Sequence, residues 1–320
     1  MMIEGQPVVL VTGASGFIGR HLTPMLEDAG WIVRRVVRST PTRPGDVLID
    51  SIGSTTDWRR ALAGVDAVVH LAARVHYAEP MASADLYEEI NVAGTLNLAR
   101  SAVDAGVSQF VFSSTVLVNG RSSDGHHPFS ENDEPRPRNN YAHSKAAAEA
   151  GLAELARNDG MRITVIRPPM VYGAGAKGNF RLLMKAVERG IPLPFASVRN
   201  RRAFVSVQNL ASFIVARLFR SERNFDVFLV ADREQVSTPE FIRRLGNAAG
   251  TRAHLFRMPT PLLGTLFKFS GRPDVRESIL GSLELDLSKA MATGWSPPIS
   301  LDEGLRVATK DPAAYRNPQI

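Results

Sequence analysis

The sequence predicts an α/β fold, in which a doubly wound parallel sheet is followed by a smaller, mixed C-terminal region. Three observations predict it. Short apolar runs rich in β-branched residues alternate with segments of helical period through the first half of the chain, as is typical of parallel strands covered on both faces. A glycine-rich turn directly follows the first apolar run. After residue 168 the alternation ends, and Pro, Gly and longer irregular segments become frequent.

The predicted elements begin with a strand at Val8–Val11 and a helix whose apolar residues run from Ile18 to Ala29. Pro24 lies inside that helix, where a proline costs about 3 kcal/mol or produces a kink. Apolar runs predict further strands, and helical spacing predicts the helices between them. These strands are Ile32–Val37, Val47–Ile49, Ala67–Leu71, Phe110–Phe112 and Ile163–Ile166, and the helices are near 56–63, 84–105 and 141–158.

The turn between the first strand and the first helix contains glycines at three-residue spacing. Gly13 permits a tight turn, Gly16 lets the backbone approach a pyrophosphate, and Gly19 allows the helix to pack closely on the strand. The start of the helix offers unpaired N–H groups and a partial positive charge to phosphates. The sequence therefore predicts a dinucleotide site here, and Ser15, Phe17 and Ile18 lie in the same turn.

The second predicted strand ends in arginines and not in an acid. An Asp or Glu about 20 residues after the turn would hold the ribose of NAD, whereas an Arg accommodates the 2′-phosphate of NADP. Arg34, Arg35 and Arg38 occupy this region, and Ser39 follows. The sequence therefore favours NADP(H) over the alternative, NAD(H). A strand end that is merely solvated is the other interpretation of these arginines.

The change of pattern predicts two domains. We expect residues 1–168 to form a Rossmann-type dinucleotide-binding domain and residues 169–320 to form mainly the smaller substrate-binding region. A segment near 203–232 should return to the first domain, with Phe225–Val230 as an additional strand. Residues 259–269 are apolar but too short to span a bilayer, so we expect a packed surface helix there.

The composition excludes several kinds of site and partner. The chain has no cysteine, which excludes disulfides, thiolate metal sites and a cysteine nucleophile. It has 6 Lys and 32 Arg against 32 acidic residues, but the arginines are scattered, so we expect no nucleic-acid partner. No signal peptide or apolar run of about 18 residues is found, so we expect a cytoplasmic protein without a membrane partner. His126 and His127 lack a third ligand, so no metal is expected.

Tyr141 and Lys145 lie four residues apart in a segment of helical period, which places both side chains on one helical face. A nearby ammonium lowers the pKa of a phenol from about 10, so Tyr141 is suited to proton transfer near neutral pH. His70 and His76, by contrast, are expected to satisfy local hydrogen bonds.

Six motifs follow one another along nearly the whole chain. They are Thr12-Gly13-x-x-Gly16-Phe17-Ile18-Gly19, His70-Leu71-Ala72-Ala73, Asn91-Val-Ala-Gly94-Thr, Phe112-Ser113-Ser114-Thr115, Tyr141-x-x-x-Lys145 and Arg167-Pro168-Pro169-x-Val171-Tyr172-Gly173. In this order they resemble the motifs of extended short-chain dehydrogenases/reductases. The resemblance is strongest to the branch of nucleotide-sugar epimerases, dehydratases and 4-ketoreductases.

The resemblance implies a catalytic set of Thr115, Tyr141 and Lys145. Tyr141 would be the acid/base at the sugar oxygen, Lys145 would hold the nicotinamide ribose, and Thr115 would hydrogen-bond the substrate oxygen. Ser114 is the alternative to Thr115, because one residue of register separates them. Asn119 stands where this branch often has Tyr, which leaves the catalytic set intact but leaves the finer sugar specificity open.

The resemblance also implies cofactor and substrate contacts. The cofactor contacts beyond the glycine-rich turn and the catalytic pair are Asp50 and Ser51 at the adenine, Leu71, Ala72 and Ala73 beneath the pyrophosphate, and Ser113, Pro168 and Val171 near the nicotinamide. The substrate contacts beyond Thr115 are Asn179 at the sugar nucleotide and Arg202 at its diphosphate.

Three functions are compatible with these motifs. The favoured one is NADP(H)-dependent reduction of the C4 ketone of a UDP-linked 6-deoxy (2-acetamido) hexos-4-ulose, in bacterial surface polysaccharide or O-antigen biosynthesis. Arg38 favours it, since a reductase reloads its cofactor from the NADPH pool. The alternative is a UDP-hexose 4-epimerase with retained NAD. A non-catalytic dinucleotide sensor is disfavoured because it needs no acid/base.

Two further expectations follow from the resemblance. Val116 and Leu117 follow Thr115, where dehydratases of this family have an Asp-Glu pair, which argues against 4,6-dehydration. Members of the family often form homodimers through two helices of the first domain. The segments 84–105 and 141–158 would serve here, so the expected partners are a UDP-sugar and a second copy of the chain.

Overall fold

The computed structural model describes residues 5–75, 83–220, 223–269 and 279–310, and the chain divides into two compact units. Unit 1 comprises Met1–Val118, Pro135–Arg167 and Ala211–Phe228. Unit 2 comprises Asn119–Glu134, Pro168–Leu210 and Leu229–Ile320.

Unit 1 is built on a seven-stranded sheet, which confirms the predicted doubly wound α/β class. Its strands are β1 (Val8–Thr12), β2 (Ile32–Val37), β3 (Val47–Leu48), β4 (Ala67–His70), β5 (Gln109–Ser113), β6 (Arg162–Arg167) and β9 (Phe225–Leu229). The order is β3-β2-β1-β4-β5-β6-β9, and the neighbours from β3 to β6 pair in parallel. The order of the strands reverses between β1 and β4: the chain adds strands outward on one side of β1 and then on the other. Folds of this class bind their ligands at that point of the sheet.

Helices cover this sheet, and their apolar faces form the core of unit 1. The elements are α1 (Phe17–Asp28), α2 (Arg59–Leu62), α3 (Ala84–Tyr87), a π-helix at Glu88–Ala93, α4 (Gly94–Asp104), a 3₁₀ turn at Val116–Val118, α5 (Asn140–Asp159) and α7 (Val207–Phe219). Leu98 of α4 and Leu152 of α5 pack with Phe110 and Ile163 of the sheet in one buried cluster. Pro24 does not end α1, and the helix continues beyond it to Asp28.

Unit 2 contains a small parallel pair, β7 (Met170–Tyr172) and β8 (Phe204–Ser206). Its helices are α6 (Asn179–Glu188), α8 (Thr238–Ala248), α9 (Thr260–Phe269), α10 (Ser288–Ala292) and α11 (Leu301–Thr309). Phe204 stacks on Phe241 of α8 with the ring centroids 4.0 Å apart, and Tyr172 meets Phe241 edge-on. The apolar segment 259–269 is largely α9, and no helix in the described parts of the chain could cross a membrane.

A buried carboxylate joins several elements of unit 2. Asp232 accepts hydrogen bonds from the Tyr172 hydroxyl at 2.6 Å, the Ser206 backbone N–H at 3.0 Å and the Asn209 side-chain amide at 2.6 Å. Burial is the main cause that raises the pKa of Asp232, and these hydrogen bonds oppose it. A buried carboxyl group is stable only when hydrogen-bond donors surround it. The Tyr172 phenol is one of these donors, and it thereby holds β7 to Asp232.

Candidate active site

The glycine-rich turn lies tightly against the segment that follows β4. Gly13 has φ of +68°, and a Cβ there would come within 2.8 Å of the Ala72 backbone nitrogen and 3.0 Å of the Leu71 carbonyl carbon. The Gly16 N–H donates to the Gly13 carbonyl at 2.9 Å, which closes the turn. Position 13 therefore requires a glycine for two reasons: its backbone is left-handed, and the 71–73 segment leaves no room for a Cβ.

The turn leaves the start of α1 open. The backbone of Gly16, the N-cap, is extended, and no side chain caps it among the described residues; the first turn of α1 contains no acid. A Cβ at Gly19 would lie 2.6 Å from the Ala14 Cα, so only glycine fits there. Ser15 is exposed, and Phe17 and Ile18 are partly buried. An uncapped helix start with bare backbone fits the pyrophosphate of a dinucleotide.

Two of the three arginines at the end of β2 are engaged within the protein. Arg34 donates to the carbonyl oxygens of Ala61 at 2.8 Å and Ala63 at 2.6 Å, at the end of α2. Arg35 forms a two-pronged ion pair with Asp46, at 2.7 Å from Nε and 2.6 Å from Nη2. These two arginines therefore satisfy structural contacts.

Arg38 differs from its neighbours. It follows β2 directly, is exposed together with Ser39, and has no hydrogen-bond or ion-pair partner in the part of the chain that the structure describes. Burial acts to raise the pKa of Asp46, but the hydrogen bonds from Arg35 and the backbone lower it to about 2. That acid is thus committed to Arg35, while Asp50 is exposed further along the chain.

Lys145 is buried at the centre of the site. Its Nζ donates to the Ser113 carbonyl oxygen at 2.7 Å and lies 4.2 Å from the centroid of the Phe112 ring. Burial lowers the pKa of Lys145 to about 7, and the carboxylate of Glu149 opposes this shift. Tyr141, one turn earlier on the same face of α5, is partly exposed. The structure therefore places Lys145 of α5 at the end of β5, with Tyr141 one helical turn before it.

The hydroxyls of Ser114 and Thr115 are in different situations. Ser114 is buried and donates its hydroxyl hydrogen to the Glu149 carboxylate. The Thr115 hydroxyl oxygen accepts a long bond, 3.3 Å, from the Leu117 N–H. In the described residues the Thr115 hydroxyl has no acceptor, so its hydrogen remains available to a ligand.

His70 makes the local hydrogen bonds expected of it, whereas His76 lies outside the described residues. Its Nδ1 pairs with the Thr12 hydroxyl at 2.6 Å and its Nε2 with the Thr95 hydroxyl at 3.0 Å. Burial lowers the pKa of His70 to about 3, and the Lys145 ammonium adds to the shift. A neutral His70 therefore links β1, β4 and α4 beneath the site.

Asn91 belongs to a motif of the sequence that carries no predicted role, and the structure shows what this residue does. It lies in the π-helix and accepts from the Arg74 N–H at 2.8 Å through Oδ1. Its Nδ2 donates to the Arg74 carbonyl oxygen at 3.1 Å and to the Ser144 hydroxyl at 3.0 Å. Asn91 thus fixes the segment after β4 to the helix that carries Tyr141 and Lys145.

The remaining predicted residues lie in unit 2. Pro168 is buried, Val171 of β7 is partly buried, and Asn179 is exposed at the start of α6. Arg202 is buried and donates through Nη1 to the Gly281 carbonyl oxygen at 2.7 Å. Burial lowers the pKa of Arg202 to about 10, and Asp124 opposes that shift.

Several known proteins are similar to this chain in sequence and in fold. Residues 9–231 match the model of the NAD dependent epimerase/dehydratase family. The chain is 38% identical over 313 residues to a UDP-glucose 4-epimerase of Vibrio cholerae, with 93% of each chain covered. The structure of MoeE5 in complex with UDP-glucuronic acid and NAD is 26% identical, with a TM-score of 0.74 over 94% of this chain and 97% of that one. The structure of RMD from Pseudomonas aeruginosa complexed with NADPH is 25% identical, with a TM-score of 0.71 over 95% and 98%.

Proposed function

Because the chain belongs to the NAD dependent epimerase/dehydratase family, we propose that it reduces the C4 ketone of a UDP-linked sugar with NADPH. It is an NAD(P)-dependent enzyme of the extended short-chain dehydrogenase/reductase type, in the nucleotide-sugar branch. The observation that carries the reductive direction is Arg38, which is exposed and unpaired within the described residues. A guanidinium in this position suits the 2′-phosphate of NADP(H), a cofactor that a reductase exchanges at every turnover.

The open end of α1 and the neighbouring strand ends support the proposed cofactor contacts. The glycine-rich turn would hold the pyrophosphate with its backbone N–H groups. Arg38 and Ser39 would take the 2′-phosphate, and Asp50 and Ser51 the adenine. The close approach of Gly13 to Leu71 and Ala72 supports a role for the 71–73 segment beneath the pyrophosphate.

When bound, the dinucleotide supplies the hydride. Tyr141 donates its phenolic proton to the C4 oxygen as charge develops there. The Lys145 ammonium stabilises the resulting phenolate, and its burial against Phe112 strengthens that interaction by excluding water. Thr115 donates a hydrogen bond to the same oxygen. We assign this role to Thr115 over Ser114, because the hydroxyl of Ser114 is committed to Glu149.

The sugar nucleotide would be held by residues of unit 2. Asn179 is exposed at the start of α6, and the buried Arg202 carries a guanidinium, the side-chain group that best matches a diphosphate. We propose a UDP-linked 6-deoxy, 2-acetamido hexos-4-ulose as substrate, in the synthesis of a bacterial surface polysaccharide such as O-antigen. A cytoplasmic location and a homodimer built through α4 and α5 complete the proposal.

The second candidate function is 4-epimerisation of a UDP-hexose with retained NAD. The 38% identity to the Vibrio cholerae UDP-glucose 4-epimerase favours it. The same three side chains would act on the same oxygen, since epimerisation consists of oxidation at C4 followed by reduction on the opposite face.

One absorbance experiment separates the two functions. We expect the purified protein to consume NADPH when a UDP-4-keto-6-deoxy-hexosamine is added, and to lose this activity in Tyr141→Phe while still binding NADPH. An epimerase would instead be purified with bound NAD, interconvert UDP-hexoses and consume no added NADPH. Full NADPH oxidation by Tyr141→Phe would contradict the assigned role of the phenol.

A further inference from the structure

We propose that Glu149 is a positioning residue of this site: its buried carboxylate fixes the loop that carries Thr115 against the helix that carries Tyr141 and Lys145. The proposal rests on the proposed function in taking those three side chains as the reacting set. Glu149 lies on α5, one turn after Lys145 and two turns after Tyr141, and its side chain is 6% exposed.

The first contact of Glu149 is a buried ion pair with the last residue of β6. The Arg167 guanidinium donates to the carboxylate through Nη2 at 2.5 Å and through Nε at 3.1 Å, and its side chain is 5% exposed. A two-pronged, charge-assisted pair of this kind fixes direction as well as distance. It therefore sets the rotation of α5 relative to the end of β6.

The second contact reaches the loop after β5. The Ser114 hydroxyl donates to the same carboxylate, and the Ser114 N–H donates to the Ile166 carbonyl oxygen at 2.7 Å. Ser114 is thereby held from α5 through its side chain and from β6 through its backbone. Because Thr115 is the next residue, its hydroxyl direction depends on these two anchors.

The third link runs through Lys145. Its Nζ donates to the carbonyl oxygen of Ser113, directly before Ser114. The last residue of β5 and the first residue of the loop are therefore each held by a charged group of α5, and these two groups lie one helical turn apart. Either bond alone would allow the loop to pivot, whereas the pair defines where Thr115 lies relative to Tyr141.

The carboxylate also acts on the charge of Lys145. The charged and titratable groups that act on this ammonium are Glu149 from α5 and His70 from β4, with Arg167 from β6 behind Glu149. Tyr141 lies one helical turn before Lys145 on α5. Among the described groups, Glu149 alone raises the pKa of Lys145, while burial lowers it. Removal of the negative charge should therefore make Lys145 lose its proton at a lower pH.

The test compares Glu149→Gln with Glu154→Gln, which changes an exposed carboxylate on the same helix. We expect Glu149→Gln to lower kcat by about tenfold to a hundredfold, with little change in KM for the sugar or in Kd for NADPH. The alkaline limb of its pH–rate profile should move down by about one pH unit. Glu154→Gln should keep the wild-type kcat and profile.

A second variant covers the case in which Glu149→Gln does not fold. Ser114→Ala removes the loop contact but keeps the Glu149–Arg167 ion pair, and we expect it to lower kcat without moving the pH limb. Wild-type kcat in folded Ser114→Ala, or a wild-type pH limb in folded Glu149→Gln, would overturn the proposal.

The proposed function can fail separately. If the wild type neither oxidises NADPH with a 4-keto sugar nor interconverts UDP-hexoses, that function is wrong. The Lys145 Nζ can then be titrated by NMR in the wild type and in Glu149→Gln. A lower midpoint in the variant supports the role of Glu149, and an unchanged midpoint refutes it.

Discussion

The cofactor preference gives the sharpest single prediction. Arg38 lies directly after β2, is exposed, and is unpaired within the described residues. Arg38→Asp replaces its guanidinium with the kind of acid that binds an NAD ribose. No ion pair has to be broken within the described residues, so the change should leave the fold intact. The variant should therefore bind NADPH less tightly and NADH more tightly than the wild type.

The expected magnitude follows from the charged hydrogen bond that Arg38 would make to the 2′-phosphate. A hydrogen bond to a charged group contributes about 1.5–3 kcal/mol, which corresponds to a loss of about 10-fold to 150-fold in NADPH affinity at 1.36 kcal/mol per factor of ten. The new carboxylate also repels the 2′-phosphate, which moves the effect towards the upper limit at low ionic strength.

The assay is a fluorescence titration of each protein with NADPH and with NADH at one fixed salt concentration. Arg60→Asp is the matched control, because it reverses the charge of another exposed arginine, on α2. We expect the wild type and Arg60→Asp to prefer NADPH and Arg38→Asp to prefer NADH. The same NADPH-to-NADH ratio in all three proteins would refute the assignment of Arg38.

Three further predictions concern stability. The pKa of His70 is lowered from 6.5 to about 3, so the unfolded state takes up a proton first as the pH falls; the free energy of unfolding should drop by about 2 kcal/mol between pH 7 and 5. Urea unfolding should show this drop in the wild type and not in His70→Gln. Gly19→Ala places a methyl group against the backbone of Gly13 and should cost at least about 1–3 kcal/mol, with loss of cofactor binding. Tyr172→Phe removes a 2.6 Å donor from buried Asp232 and should lower the free energy of unfolding by about 1.5–3 kcal/mol in urea; an unchanged midpoint would contradict the stabilising role of the phenol.

The sheet could be predicted from sequence because its signals are local. The apolar run at Val8–Val11 and the glycine spacing after it are read within a dozen residues, and Phe225–Val230 shows the same apolar pattern as the other strands. The structure confirms a strand at Phe225–Leu229 beside β6. β3 ends at Leu48, one residue earlier than predicted. Ile49 still donates its N–H to the Val37 carbonyl oxygen of β2 but lies outside the strand.

The contacts that orient the site could not be predicted in this way. Glu149 and Arg167 are 18 residues apart, and Asn91 meets Ser144 across 53 residues. Such pairs depend on where β5, β6 and α5 lie relative to one another, and a single sequence carries no signal for that. The spacing of Glu149 from Lys145, one helical turn, is visible in the sequence, but so is the same spacing of many surface pairs.

The burial of Lys145 bears on the choice between an enzyme and a dinucleotide sensor. An ammonium whose pKa falls from 10.5 to about 7 costs the folded protein about 4 kcal/mol at neutral pH, and the cost disappears only as the pH rises towards 10.5. A neutral side chain of similar length would avoid this cost and still pack against Phe112. A sensor needs only to hold the dinucleotide, whereas proton transfer by Tyr141 needs a positive charge where water is excluded. Proton transfer at Tyr141 therefore accounts for a buried positive charge at Lys145 that a hydrogen bond to the nicotinamide ribose alone would not require.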